Sequence, residues 1–137
     1  MTTNYELDVR YAEGDLGSVV HHSVYAIWYE AARMDFFEKL GLGYEEQLRR
    51  NILPPLVDLH VVYRAPVRYP GRVRIETRIA SYGPKKIELA YRLYYNGVLA
   101  NEATTLIIWT DIRTMKSMDL SAEHPDIYAK IAEAAED

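Results

Sequence analysis

The sequence predicts an α+β fold: one domain over residues 1–137, with an antiparallel five-stranded sheet wrapped around a long central helix. Three observations carry this. Residues 22–40 are apolar at helical spacing, and the arc is wide rather than a stripe, so the helix must be embraced and not merely laid on a surface. From Val57 the hydrophobic period changes to two and stays there to Thr110. One more alternating segment, residues 5–11, precedes the helix. A strand, a helix and then a four-strand meander is an α+β order.

The elements follow in turn. Tyr5, Leu7, Val9 and Tyr11 alternate with Glu6, Asp8 and Arg10, which reads as a half-buried strand. Residues 12–21 form a loop with Gly14, Asp15 and Gly17. The helix carries Val24, Ile27, Trp28, Ala31, Ala32, Met34, Phe36, Phe37 and Leu40, leaving Glu30, Arg33, Glu38 and Lys39 to stay wet or paired. Gly41 supplies its C-cap. Residues 43–50 form a short helix with acids early and bases late, as its dipole prefers. Asn51 to Pro55 is a connector. Residues 57–65 make the next strand, weakened by Pro66. Tyr69-Pro-Gly-Arg72 turns the chain into a strand at 72–79, and Tyr82-Gly-Pro-Lys-Lys86 turns it into another at 87–95. Asn96-Gly97 is a hairpin signal, and Val98 to Thr110 completes the sheet. Capping residues at 121–126, with Pro125 suited to a first turn, open a last helix running to about Ala135.

Composition excludes several classes. The net charge of −4 argues against non-specific nucleic-acid binding, so an anionic ligand must be met by a local basic patch. The chain has no cysteine, which removes disulfides, thiolate metal sites and cysteine nucleophiles and fits a reducing compartment. No signal peptide and no membrane span are expected, and the reading is cytoplasmic. No metal is expected either: His21 and His22 are adjacent and cannot share a face, and no His-x-x-x-His spacing exists. No Gly-x-Ser-x-Gly elbow is present for a nucleophilic serine.

Chemistry concentrates in residues 11–33. The two glycines let a ligand approach the main chain, and the helix that starts near His21–Ser23 offers unpaired N–H groups facing the loop. Asp15 beside that N-terminus is a carboxylate next to an electrophile-polarising dipole, suited to act as nucleophile or base. On composition alone, a loop aspartate that caps a turn is the commoner case. The window Tyr-x-x-x-Asp-x-Gly-x-Val-Val-x-His-x-x-Tyr-x-x-Trp-x-Glu-x-x-Arg resembles the 4-hydroxybenzoyl-CoA thioesterase-like branch of the hotdog-fold acyl-CoA thioesterases.

That resemblance implies a hotdog fold, hydrolysis of acyl-CoA or acyl-carrier-protein thioesters, and pairing into homodimers through a sheet edge with active sites at the interface, often doubled to homotetramers. It implies Asp15 as the group that attacks the thioester carbonyl or activates water. The backbone N–H at His22 would bind the carbonyl oxygen, and the His22 ring would orient water or assist proton transfer. Tyr11 would line the site and hydrogen-bond near the carboxylate, though a strand tyrosine reads equally as core. Gly17, Val20 and Tyr25, in the same window, are carried as substrate-binding positions, with Tyr25 also readable as packing. His21 has no matched role and reads as structural, and Glu30 with Arg33 reads as an ion pair at i,i+3. No cofactor is needed, CoA entering as part of the substrate.

For the phosphates of such an arm, cations or N–H groups are required. Arg72, Arg74 and Arg78 on one strand face read as solvated. Lys85 and Lys86, crowning the turn beside Tyr82, are the better candidates, and the resemblance puts the nucleotide end at this hairpin; Lys116 is weaker. Three positions depart from the family's pattern: Gly14 stands where Thr is usual, Ser18 where Gly is common, and Val24 where Asn is common. They keep a second reading open, a non-catalytic acyl-CoA or acyl-carrier binding protein. A dehydratase, with His60 as its histidine, ranks third.

Overall fold

The structure, a computed structural model, describes residues 1–136. In chain order the elements are β1 (Thr2–Asp8), α1 (Val24–Leu40), α2 (Tyr44–Arg49), β2 (Ile52–Leu53), β3 (Leu56–Tyr63), β4 (Arg72–Gly83), β5 (Lys86–Tyr95), β6 (Val98–Ile108), β7 (Thr110–Asp111), α3 (Leu120–Glu123) and α4 (Pro125–Glu136). Five strands form one antiparallel sheet in the order β1-β4-β5-β6-β3. The sheet wraps α1 as expected, with α1 lying over β1 and β4 and α4 beside it.

Alternation sets which face is wet. Val73, Ile75, Thr77 and Ile79 of β4 point in, as do Ile87, Leu89, Tyr91 and Leu93 of β5. Against them α1 buries Trp28, Tyr29, Ala32, Phe36 and Phe37. Each large apolar side chain so buried contributes about 1.5–3 kcal/mol. Two hydroxyls inside this layer are partnered: Tyr29 donates to Asn101 Oδ1 at 2.6 Å, and Tyr91 meets Thr105 at 2.8 Å. Burial pushes the Tyr29 phenol far above its ordinary range.

Local chemistry ends the elements where it should. α1 stops at Gly41, whose N–H bonds to the Phe37 and Glu38 carbonyls. Asn96 and Gly97 both take positive φ, 52° and 73°, as a two-residue hairpin turn requires. Pro125 opens α4, and Asp119 caps α3 by accepting from the Ala122 N–H at 3.2 Å. The Arg50 guanidinium ties α2 to α4 through Asp126 at 2.6 Å and also holds Glu46, whose carboxyl is lowered to about 2 by its bonds to Arg49 and Arg50.

Three expectations change. β1 ends at Asp8 and not near Tyr11, because Glu13 draws the chain into a turn by accepting from the Arg10 N–H at 2.6 Å. The connector at 51–55 contains β2, which pairs with β7 as a separate ribbon. β3 is an edge strand, and Leu56, Val57, Leu59 and Tyr63 all stay exposed because α1 lies over β1 and β4, at the opposite edge of the sheet.

Candidate active site

The loop between β1 and α1 is a small closed structure. Gly14 bridges Val20, the Asp15 N–H donates to Val19 O at 2.9 Å, and the His21 N–H donates to Glu13 O at 3.0 Å. The loop is stitched to the segment before β4: the Val20 N–H donates to Val67 O at 2.8 Å, and the Tyr69 N–H to Ser18 O at 2.9 Å. Arg68 also donates to Gly17 O at 3.0 Å. Asp15 therefore stands on a fixed frame although it lies outside regular structure. Its carboxylate is exposed and makes no hydrogen bond or ion pair among the described residues.

The tip holds two of the departures. Gly17 and Ser18 both take positive φ, 75° and 62°. Glycine is at ease there; serine is not. A Cβ on Gly14 would sit 3.1 Å from the Ser18 backbone, so the two unusual positions touch each other. Relief of left-handed strain, less the added freedom of the unfolded chain, leaves Ser18→Gly stabilising by about 0.5–1 kcal/mol. Thermal unfolding should show a midpoint raised by roughly 1–4 °C, and a lowered midpoint would mean the Ser18 side chain holds the loop in another way. The third departure, Val24, is buried at the first residue of α1 and belongs to the core.

His21 and His22 divide the helix start between them. The His21 ring meets the Ser23 hydroxyl at 2.7 Å and accepts from the Ser23 N–H at 3.2 Å, a structural role as read from the sequence. The His22 backbone N–H has no acceptor among the described residues, and its ring is exposed. That N–H is free to bind an oxygen. Val20, His22, Tyr25 and Tyr63 line one cleft of about 280 Å³. Tyr11, Gly14, Asp15 and Gly17 line another of about 410 Å³. No hydrogen bond joins Asp15 to His22.

Tyr11 is not on a strand. It sits in a 3-10 turn, Tyr11–Glu13, is 76% exposed, and packs edge-on to Tyr69 at 5.4 Å, with no bond to Asp15. Tyr25 is buried, which raises its phenol pKa, while its face lines the His22 cleft. Glu30 and Arg33 form the expected pair, with a long separation of 3.9 Å.

Tyr82, Lys85 and Lys86 lie elsewhere. Asp8 pairs with Arg72 where β1 ends, so the Asp15 loop is at that end of β4. The hairpin tip is at the other end, pinned by Trp109 N–H to Lys85 O at 3.0 Å and Leu120 N–H to Pro84 O at 2.7 Å. The twelve residues of β4 separate the two ends, roughly 35–40 Å at ~3.3 Å per residue. Tyr82 packs on Tyr128 at 5.7 Å.

One residue escaped the sequence reading. Glu13 is a buried carboxylate, 7% exposed, that accepts from the Trp28 indole at 2.9 Å and from the Arg10 N–H. It ties the Asp15 loop to α1. The signal was Trp28 itself, since a buried indole N–H needs an acceptor and the preceding loop supplies an acid. Among the described residues, no three His, Cys, Asp or Glu side chains gather as a metal site requires, and no helix is long and apolar enough to cross a membrane.

A family model described as the thioesterase-like superfamily matches residues 9–133. YneP of Bacillus subtilis (strain 168) is 31% identical over 122 residues, covering 88% of both chains. The acyl-CoA thioester hydrolase YbgC of Escherichia coli O157:H7 is 28% identical over 118 residues, 84% of this chain and 88% of that one. Among solved structures, a DHNA-CoA thioesterase from Staphylococcus aureus superposes with a TM-score of 0.91 at 31% identity, covering 96% of this chain and 89% of the other.

Proposed function

The chain belongs to the thioesterase-like superfamily of hotdog-fold enzymes, and on that premise we propose that it hydrolyses acyl-CoA thioesters to the free acid and CoA, with Asp15 as the reacting carboxylate. The observation that carries this reading is an exposed, unpartnered carboxylate at Asp15 in a loop that leads into a helix start with a free N–H at His22.

Asp15 attacks the acyl carbonyl carbon, or takes the proton from a water that does so. The carbonyl oxygen becomes an oxyanion, and the His22 N–H donates to it while the α1 dipole favours its charge. Collapse breaks the carbon–sulfur bond and expels the CoA thiolate. In the nucleophilic route a mixed anhydride remains, which water hydrolyses to regenerate Asp15. A thiolate leaves readily, so one carboxylate suffices without a Ser-His-Asp relay. In this reading the exposed His22 ring orients that water, and Tyr11 walls the mouth.

The exposed apolar residues of β3, on an edge with unpaired backbone groups, support a dimer through that edge. A two-fold axis perpendicular to the sheet runs the two β3 strands antiparallel. The hairpin tip of the partner then lies at the Asp15 end of this chain. Tyr82, Lys85 and Lys86 thus serve the partner's site, where the lysines meet the CoA phosphates.

The test is release of free thiol from short, medium, long and aromatic acyl-CoAs and from acyl-carrier protein. The name of the Staphylococcus aureus neighbour makes aromatic acyl-CoAs the first to try. Turnover of at least one thioester is expected. Binding by calorimetry without turnover of any would replace the enzyme with a binding protein.

A further inference from the structure

Tyr63 closes β3 and is 53% exposed, yet its hydroxyl is engaged: it donates to the His22 carbonyl at 3.1 Å. That carbonyl belongs to the peptide whose N–H, at Ser23, is held by the His21 ring at 3.2 Å. Both polar ends of the His22–Ser23 peptide are therefore tied. The peptide before it is tied through its carbonyl, which accepts from the Val24 N–H at 3.0 Å. Its own N–H, that of His22, is the group left free. Two of these three ties are local, made by residues within the turn itself. Tyr63 is the tie that comes from another element, and its ring is braced edge-on against Tyr25 at 5.4 Å and 88°.

We infer that Tyr63 is a positioning residue, which holds the turn at His22–Ser23 so that the His22 N–H is already aimed where the thioester oxyanion forms. This rests on the reading of His22 as the oxyanion donor. Preorganisation is what gives such a donor its effect: an N–H that must first reorient spends part of its stabilisation on doing so. A hydroxyl on a sheet strand supplies that rigidity better than the helix start can, because the first turn of a helix has few bonds of its own. The same strand is the proposed dimer edge, so pairing of two chains stiffens the element from which the turn is held.

The experiment compares wild type with Tyr63→Phe, which keeps the ring against Tyr25 and removes only the hydroxyl. Steady-state hydrolysis should show kcat lowered about 10-fold, a fraction of the loss from deleting a donor outright, with KM within about twofold, the pattern of an interaction lost only in the transition state. Size-exclusion profile and melting temperature should match wild type. Amide hydrogen exchange should speed up at Ser23 and Val24, a change that loss of a mere substrate contact would not produce. An unchanged kcat overturns the inference, and so does a raised KM at constant kcat, which would make Tyr63 a wall of the acyl cleft. If wild type hydrolyses no thioester, the catalytic reading falls, and exchange alone then judges the hold: faster exchange at Ser23 and Val24 upholds it, equal exchange overturns it.

Discussion

Asp15→Asn is expected to lower kcat for thioester hydrolysis by about 100-fold or more, the scale on which a positioned acid or base is missed. The amide has the same shape and neither attacks a carbonyl nor accepts a proton from water. The fold should not notice. Asp15 is exposed and its carboxylate has no partner among the described residues, so the substitution should change stability by less than about 0.5 kcal/mol. Thiol release measured on both proteins, alongside a thermal melt, checks both halves. A slow variant that melts like wild type assigns the chemistry to this group. Equal rates would remove Asp15 from the mechanism and direct attention to the His22 ring and to Glu30.

Glu13→Ala should damage the protein twice. The buried Trp28 indole N–H and the part-buried Arg10 N–H lose their acceptor. A buried donor stranded in this way costs about 1–3 kcal/mol, so a loss of roughly 2–3 kcal/mol is expected in denaturant unfolding. The loop that carries Asp15 also loses its link to α1, and misplacement by an ångström costs on the order of 100-fold in rate. A kcat lowered about 10- to 100-fold is therefore expected although Glu13 touches no substrate. Glu13→Gln should fall between, because its single carbonyl serves one donor and its amide faces the other. Trp28→Phe separates the terms: it removes the donor with the acceptor still present, and the double variant should lose less than the sum. Full stability in Glu13→Ala would show that the indole finds another acceptor.

The elements readable from the sequence are those fixed by near neighbours. The apolar arc of residues 24–40 needs only helical spacing, and the turn at Asn96-Gly97 needs only two residues that tolerate positive φ. What was missed is set by specific partners that leave no mark on the periodicity. Alternation runs on through Val9 and Tyr11, and only the acceptor at Glu13 stops the strand at Asp8. The β2–β7 ribbon pairs two residues with two others some sixty positions away, which leaves no periodic trace. Glu13 looked like one more solvated acid, since its burial depends on the indole fifteen residues on. The motif at 11–33 put Asp15 and His22 on one loop and one helix start. It could not show that Tyr82, Lys85 and Lys86 fall at the opposite end of the sheet, because that follows from strand register.

The distance between those two ends has a genetic meaning. In the proposed dimer, each catalytic centre draws its carboxylate from one copy of the gene product and its phosphate-binding lysines from the other. A lesion at Asp15 and a lesion at Lys85-Lys86 then fall in different halves of every site. When both alleles are expressed together, a mixed pair reunites two intact halves at one of its sites and two damaged halves at the other. Two inactive alleles of a chain of 137 residues become able to complement one another, and inheritance of activity ceases to follow the single copy.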